Sequence, residues 1–378
     1  MRHLVLGGGG HAHLAVLKAL GRASPTDVAV TLVTPASHQV YSGMLPGWIA
    51  GHYAREDCEI DLQALARAAN VRLLQESIVG MDASRRCVAL SSGRHLEYDL
   101  LSLDVGSETD VSWLELLGER LLPVRPLGNF LDRWPAVLEA AGKHSGFRLA
   151  VVGGGAAAVE IALAVRHAFR RRGGRTSVSL VTAETGMLPG FTQVVRERTR
   201  GAAMQARLEV HPGPAVGSEE GLLLPDGTLI SADCVIAATG GIAPCWLRLG
   251  GPALDERGFI AVDRTHRSVS HANVFAAGDV CARQDVSVAH SGVHAVHAGP
   301  VLAANLLATL AGQALRTFRP RRRSLYLLSC GSRRAIASWG PFSAEGKWVW
   351  RWKDRIDRNF IRRHSLNAVQ GRIVDAST

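Results

Sequence analysis

Two stretches of this chain carry the same pattern, and that duplication limits the fold more than any other feature of its 378 residues. Residues 3–20 read HLVLGGGGHAHLAVLKAL and residues 148–165 read RLAVVGGGAAAVEIALAV. Each is a short apolar strand, a glycine cluster, and a run with the apolar spacing of a helix. The likeness continues downstream: VTLVT (30–34) matches VSLVT (178–182), and SGMLPG (42–47) matches TGMLPG (185–190). Three matched blocks at a nearly constant offset make two copies of one strand–helix–strand unit. The offset is too long for a solenoid, whose period is about 20–50 residues.

Strand, glycine cluster and helix together form a dinucleotide-binding fingerprint. Glycine is needed at the tight turn and again where backbone approaches a pyrophosphate, which then meets the free N–H groups of the helix start. In the first copy the turn glycines are Gly8 and Gly10, with Ala12 or His13 at the third, small position. In the second they are Gly153 and Gly155, with Ala158 third. Where an acidic residue usually accepts the ribose hydroxyls, the two copies carry Thr34 and Thr182; Glu184 lies two residues further on. Preference between NADH and NADPH is therefore open.

Composition excludes whole classes. An apolar fraction of 47% with 20% charged residues supplies real cores, so wholesale disorder is excluded. At roughly 150 residues per domain, two or three domains are expected. Forty-three Lys and Arg against 33 Asp and Glu give a net +10, which favours phosphates or an anionic membrane surface. The six cysteines (58, 87, 234, 245, 281, 330) form no CxxC and no paired spacing, so neither a zinc framework nor a disulfide scaffold is indicated. Scattered thiols fit a reducing cytosol, and burial as free Cys is expected for all six. The apolar N-terminus is interrupted by Gly7–Gly10 and reads as a strand entering a loop, not a signal peptide. The longest apolar candidate, Ala298 to Gly312, is too short to span a bilayer. The expectation is a soluble cytoplasmic chain, or one peripheral on the inner face of the cell membrane.

With two fingerprints in one chain, the sequence resembles the flavoproteins of the pyridine nucleotide–disulfide reductase superfamily. Three motifs carry the resemblance. VIAATGGIAP (235–244), with Gly240, looks like the motif that closes the second domain. SLDVGS (102–107), with Gly106, stands in the position of its counterpart in the first. HANVFAAGDV (271–280) looks like the second FAD fingerprint, so the resemblance places a ribityl-binding role on Asp279, after Gly278. The implied fold class is α/β, with two Rossmann-like domains, the nicotinamide domain inserted in the FAD domain, and a small C-terminal segment. The implied boundaries are 1–108 and 262–317 for FAD, 109–144 as linker, 145–261 for NAD(P)H, and 318–378 for the C-terminal segment. FAD and NAD(P)H are the implied cofactors.

No CxxxxC follows the first glycine cluster, so disulfide-reductase chemistry is not expected. YSGMLPGWIAGHY (41–53) and RRAIASWGPFSAEGKWVWRWKDRIDR (333–358) resemble most closely the NADH-dehydrogenase-like flavoproteins, similar to type II NADH dehydrogenases, some of which occur fused to selenide, water dikinase. That resemblance implies hydride transfer from NAD(P)H to FAD and onward transfer to a quinone or another small acceptor. It places Glu160 at the nicotinamide–flavin stack. The type II quinone motif is missing: SGVHAVHAG (291–299) has Val293 and His297 where glutamines are usual. Two alternatives remain. One is sulfide or selenium-compound oxidation, which needs reactive cysteines such as Cys330 with Cys58 or Cys281. The other is a non-catalytic flavin-binding protein. A homodimer is left open.

His290, His294 and His297 stand at i, i+4 and i+7, the spacing of one helix face. No acid or Cys accompanies them, so roles near the flavin pyrimidine are preferred to a metal site, and none is expected. In the family this helix points its N-terminus at the flavin. Pro300 should kink or restart it. His11 and His13 border the first phosphate loop; polar packing is the simpler reading, and His11 is retained as a cofactor-side candidate. Finally, EGKWVWRWKDRIDRNFIRRH (345–364) places three Trp within five residues and carries an apolar stripe Val349, Trp352, Ile356, Phe360. It reads as a helix docked on the flavin domain with a solvated basic face, or as a membrane-surface helix aided by RPRRR (319–323). No nucleic-acid fold motif supports a third reading.

Overall fold

The computed structural model describes residues 1–173, 175–288, 290–321 and 323–365. Residues 366–378 of the C-terminal segment, and Arg322 of the basic run, lie outside the described residues.

The duplication in the sequence is a duplication of sheets. The first glycine strand, Arg2–Gly7, sits at the centre of a five-stranded parallel sheet. Val28–Val33 and then Arg72–Leu74 lie on one side; Leu100–Leu103 and then Val274–Ala276 lie on the other. The second glycine strand, Phe147–Val152, is central in the same way. Thr176–Thr182 and Glu209–Pro212 flank it on one side, Cys234–Ala237 and Leu121–Pro123 on the other. All eight pairings are parallel, which buries both faces of each sheet and explains why these strands read as unbroken apolar runs. The outermost strands differ in origin: the first sheet takes its strand from far downstream, the second from just upstream. A short antiparallel pair, Glu108–Thr109 with Gly241–Ile242, ties the two units at their exits.

Residues 109–144 are more than the expected linker. They give the second sheet the strand Leu121–Pro123 and the helix Leu127–Lys143, whose Phe130, Leu131 and Trp134 are buried in the second core. Trp134 lies between the rings of Phe130 and Phe169.

The helix Gly292–Leu310 continues through Pro300 and does not restart there. Pro300 and Val296, the residue whose carbonyl loses its usual donor, both line an open cleft. The helix also begins earlier than the apolar stretch read from the sequence. At 19 residues it is long and apolar enough, by length and composition, to cross a membrane. Its apolar side instead packs on the first helix, His11–Ala23, with Leu302, Ala303 and Leu306 buried in the first core. Glycine at 299 permits that close approach, because a Cβ there would press on Ala12 and Ala15.

The C-terminal segment is a three-stranded antiparallel meander, Leu325–Ser329, Ala335–Trp339 and Phe342–Gly346, followed by the helix Lys347–His364. The helix docks on the first unit, but the buried face is one residue off the expected stripe. Val349, Lys353 and Asp357 are buried, whereas Trp352 and Ile356 are exposed. Charged side chains occupy the seam because each finds a partner there.

Candidate functional site

The second glycine loop and the helix that follows the first open onto one cleft of about 1540 Å³, which the C-terminal meander and helix wall on the third side. The second loop supplies Gly153 to Ala157, and the first supplies His11 and Ala15. Gly153 has φ +137 and packs against the carbonyl of Ala238, a position closed to any side chain. Gly155 caps the helix Ala156–Arg172 and has open space on its Cβ side; Ala158 is fully buried beneath. Gly240 lines the same cleft. Thr182 lines it too, although its hydroxyl donates to the carbonyl of Ala183 at 2.9 Å. Glu184 is exposed.

Glu160 stands one turn into that helix, on the cleft wall. Its Oε1 accepts the Ser329 N–H at 2.7 Å, which anchors the C-terminal meander to the second unit. Burial pushes its carboxyl up to about 7, against the pull of Lys353. Lys353 donates from Nζ to Asp357 Oδ2 at 2.7 Å and to the Gly43 carbonyl at 2.6 Å. Burial raises the Asp357 carboxyl above the usual range while Lys353 and the Tyr41 hydroxyl pull it back. Tyr41, Lys353 and Asp357 were not singled out from the sequence. The signal was a Lys–Asp pair one helical turn apart, hidden in a segment rich in surface-type charge.

In the first unit His11 is partly buried in the cleft wall. Its Nδ1 meets Gln39 Nε2 at 3.1 Å, and its buried Nε2 has no partner. The rings of Tyr41 and Phe360 stack at 4.3 Å beside it. His13 is a structural residue: Nδ1 meets the Gly8 carbonyl at 2.6 Å and Nε2 meets Ser102 Oγ at 2.8 Å. Thr34 is buried next to Gly9. Gly106 has φ +76 and open space beside it. Asp279 follows Gly278, lies in a small neighbouring pocket, and is paired through Oδ2 with Arg125 at 2.8 Å. Arg125, also missed in the sequence, reaches Ser107 Oγ as well.

Of the three histidines only His294 and His297 lie on the helix, so the three do not form a single helical face. His290 precedes the helix and sets its ring edge-on to Phe259 at 4.3 Å. His294 faces the small pocket and His297 the cleft. Among the described residues no cysteine lines the cleft. Burial pushes the thiols of Cys58 and Cys330 up to about 12, far from the reactive thiolate range. Cys245, expected to be buried, is exposed.

The residues present fit two dinucleotides. The second loop has an open Gly155 and a helix start facing the cleft. In the first loop, the N–H groups of Gly10 and His11 meet no protein acceptor among the described residues. Comparison with known proteins agrees. A family model described as pyridine nucleotide-disulphide oxidoreductase matches residues 1–299. The chain belongs to this family. FAD and NAD(P)H are the cofactors of this pyridine nucleotide-disulphide oxidoreductase. Among curated relatives, ferroptosis suppressor protein 1 of Taeniopygia guttata is 24% identical over 272 residues, covering 68% of each chain. Among solved structures, the sulfide:quinone oxidoreductase of Aquifex aeolicus superposes with a TM-score of 0.78 at 17% identity, over 97% of this chain and 93% of that one. NDH2 of Plasmodium falciparum, solved with NADH, gives 0.78 at 14% identity over 98% of both. The shared architecture extends through the C-terminal meander and helix, beyond the family model's reach.

Proposed function

We propose that this FAD-dependent NAD(P)H oxidoreductase passes its electrons to a quinone, at a membrane surface touched by residues 345–364. The observation that carries the reading is the shared cleft: the second glycine loop and the start of the helix after the first both line it, and its third wall is an aromatic, partly apolar helix rather than a redox-active cysteine pair. FAD would be held by Gly8, Gly10, His11 and Ala12 at the pyrophosphate, by Thr34 and Gly106, and by Gly278, Asp279 and His297 nearer the flavin. NAD(P)H would be held by Gly153, Gly155, Ala158, Thr182 and Gly240. The flavin domain would be 1–108 with 262–317, and the nicotinamide domain 145–261 with much of 109–144 attached.

When bound, the two cofactors supply the hydride chemistry themselves. The protein's share is position and charge. Glu160, on the helix that starts at the nicotinamide loop, would border the place where the two rings meet. The start of the helix Gly292–Leu310 lines the same cleft, and its positive end favours negative charge on the reduced ring. Lys353, held by Asp357 and the Gly43 carbonyl, supplies a fixed cation on the opposite wall. The stacked Tyr41 and Phe360 rings offer a flat apolar face suited to a quinone head group.

Support for the membrane surface comes from the outer side of the same segment. Trp339 and Phe342 stack at 6.2 Å, Trp348 and Trp352 at 6.5 Å, and all four are exposed. Exposed Lys347, Arg351 and Arg355 surround them. Aromatic groups with basic neighbours suit an anionic interface.

The test is anaerobic. Purified holoprotein is mixed with NADH or NADPH, and the oxidised-flavin band near roughly 450 nm is followed; a short-chain quinone is then added. Rapid bleaching followed by recovery on quinone is expected. Bleaching that no quinone reverses would overturn the acceptor assignment.

A further inference from the structure

The glycines that a dinucleotide fingerprint reserves for a pyrophosphate here converge on a carboxylate. Asp104 belongs to SLDVGS, the loop leaving the strand Leu100–Leu103, and it is 4% exposed. Its N–H donates to the Gly7 carbonyl at 2.7 Å. Its Oδ2 accepts the N–H groups of Ala12 at 2.7 Å and His13 at 3.0 Å, two of the four free donors at the start of the first helix. A Cβ on Gly10 would fall within the carboxylate itself, one on Gly278 against its Oδ1, and one on Gly8 against its backbone carbonyl. Asp104 therefore sits at the meeting point of both FAD fingerprints, on the donors that complement a phosphate.

A buried carboxylate and a pyrophosphate at one helix start are like charges in a poorly solvated place. They coexist at low cost when one gives up its charge, and the carboxyl is the group able to do so near neutrality. We propose that Asp104 couples FAD binding to proton uptake: the cofactor is held with Asp104 in its neutral form, and the affinity for FAD falls as pH rises. The proposal rests on the assignment of FAD to the first loop.

The surroundings support it. Burial already pushes the Asp104 carboxyl up to about 7, with Asp279 adding to the effect, and the pyrophosphate would raise it further. Other titratable groups face it from three elements. Burial holds His11 and His13, on its own helix start, down at about 4. From the loop after the strand Val274–Ala276 come Asp279, paired with Arg125, and Cys281, whose thiol is pushed up by burial. From the helix Gly292–Leu310 comes His294, held below its ordinary value by burial.

The experiment is a titration of apoprotein with FAD between pH 6 and 9, read by flavin fluorescence. For the native protein Kd is expected to rise up to tenfold per pH unit above about 7. Asp104→Asn, which keeps an acceptor for both N–H groups but no charge, should give a flat profile and tighter binding at pH 9. The same slope in Asp104→Asn overturns the proposal. Calorimetry on the native protein at pH 8, in two buffers of different ionisation enthalpy, gives the answer without a variant: uptake of close to one proton is expected, and none overturns it. ADP, which carries a pyrophosphate, should show the same linkage, whereas riboflavin, which has none, should not; linkage with riboflavin overturns the assignment to the pyrophosphate. Binding with no pH dependence defeats the proposal alone, whereas no FAD binding at any pH defeats the cofactor reading with it.

Discussion

Lys353 Nζ lies 2.7 Å from Asp357 Oδ2, one helical turn apart on the buried seam of the C-terminal helix, and the same ammonium holds the carbonyl of Gly43. The pair joins the last helix to the SGMLPG block that ends the first copy of the duplication. It thereby fixes the third wall of the cleft.

Removing one partner leaves the other charged and buried, which costs about 3–5 kcal/mol. Lys353→Met should lower the stability measured by urea unfolding by roughly that amount, and a Lys353→Met/Asp357→Leu double variant should recover most of it. Equal stability of the single and double variants would show that the seam does not depend on charge balance.

Glu160 gives a pH signature. Its carboxyl moves from an ordinary 4.5 to about 7 on folding, because burial disfavours the charged form. The folded state then binds a proton that the unfolded chain has released. Its contribution is fully present below about pH 4.5 and is lost as pH rises to about 7, a change of about 3 kcal/mol. Glu160→Gln should flatten that part of the stability–pH curve. It should also slow flavin reduction by NADH while leaving the flavin bound; an unchanged reduction rate would remove Glu160 from the site.

Gly153→Ala separates the two cofactors. The added methyl meets the Ala238 carbonyl at a φ closed to alanine, so the second loop must distort. The variant should retain FAD, as its absorbance will show, and lose bleaching by nicotinamide nucleotides by at least about tenfold, since 1.4 kcal/mol already suffices for that factor.

Trp348→Ser/Trp352→Ser removes one exposed stacked pair without touching the buried seam. Co-sedimentation with vesicles containing anionic lipid should drop several-fold, while turnover with a water-soluble quinone stays unchanged. Undiminished sedimentation would place the contact elsewhere.

The duplicated blocks made the two parallel sheets legible, because strands buried on both faces are written as short apolar runs with glycine at their ends. Three features escaped. The role of residues 109–144 was hidden because a three-residue strand carries no period. The exposed Trp352 and Ile356 looked like core because the buried positions beside them are a lysine and an aspartate, whose pairing is visible only in three dimensions. Asp104 stands inside SLDVGS, but nothing in one sequence says that its carboxylate turns back onto the helix start. The three histidines show the converse error, since correct spacing placed the first of them outside the helix altogether.

The unequal origin of the outermost strands has a consequence for how the molecule is made. The sheet built around Phe147–Val152 uses residues 121 to 237 without interruption, so it is complete while the chain is still being synthesised. The sheet built around Arg2–Gly7 must wait for Val274–Ala276, and the helix covering it, Gly292–Leu310, comes later still. The half that begins first therefore finishes last. Until then its apolar edge at Leu100–Leu103 stands open, a template for mispairing. A nascent chain is most vulnerable while the second half is folded and the first still lacks the strand that closes it.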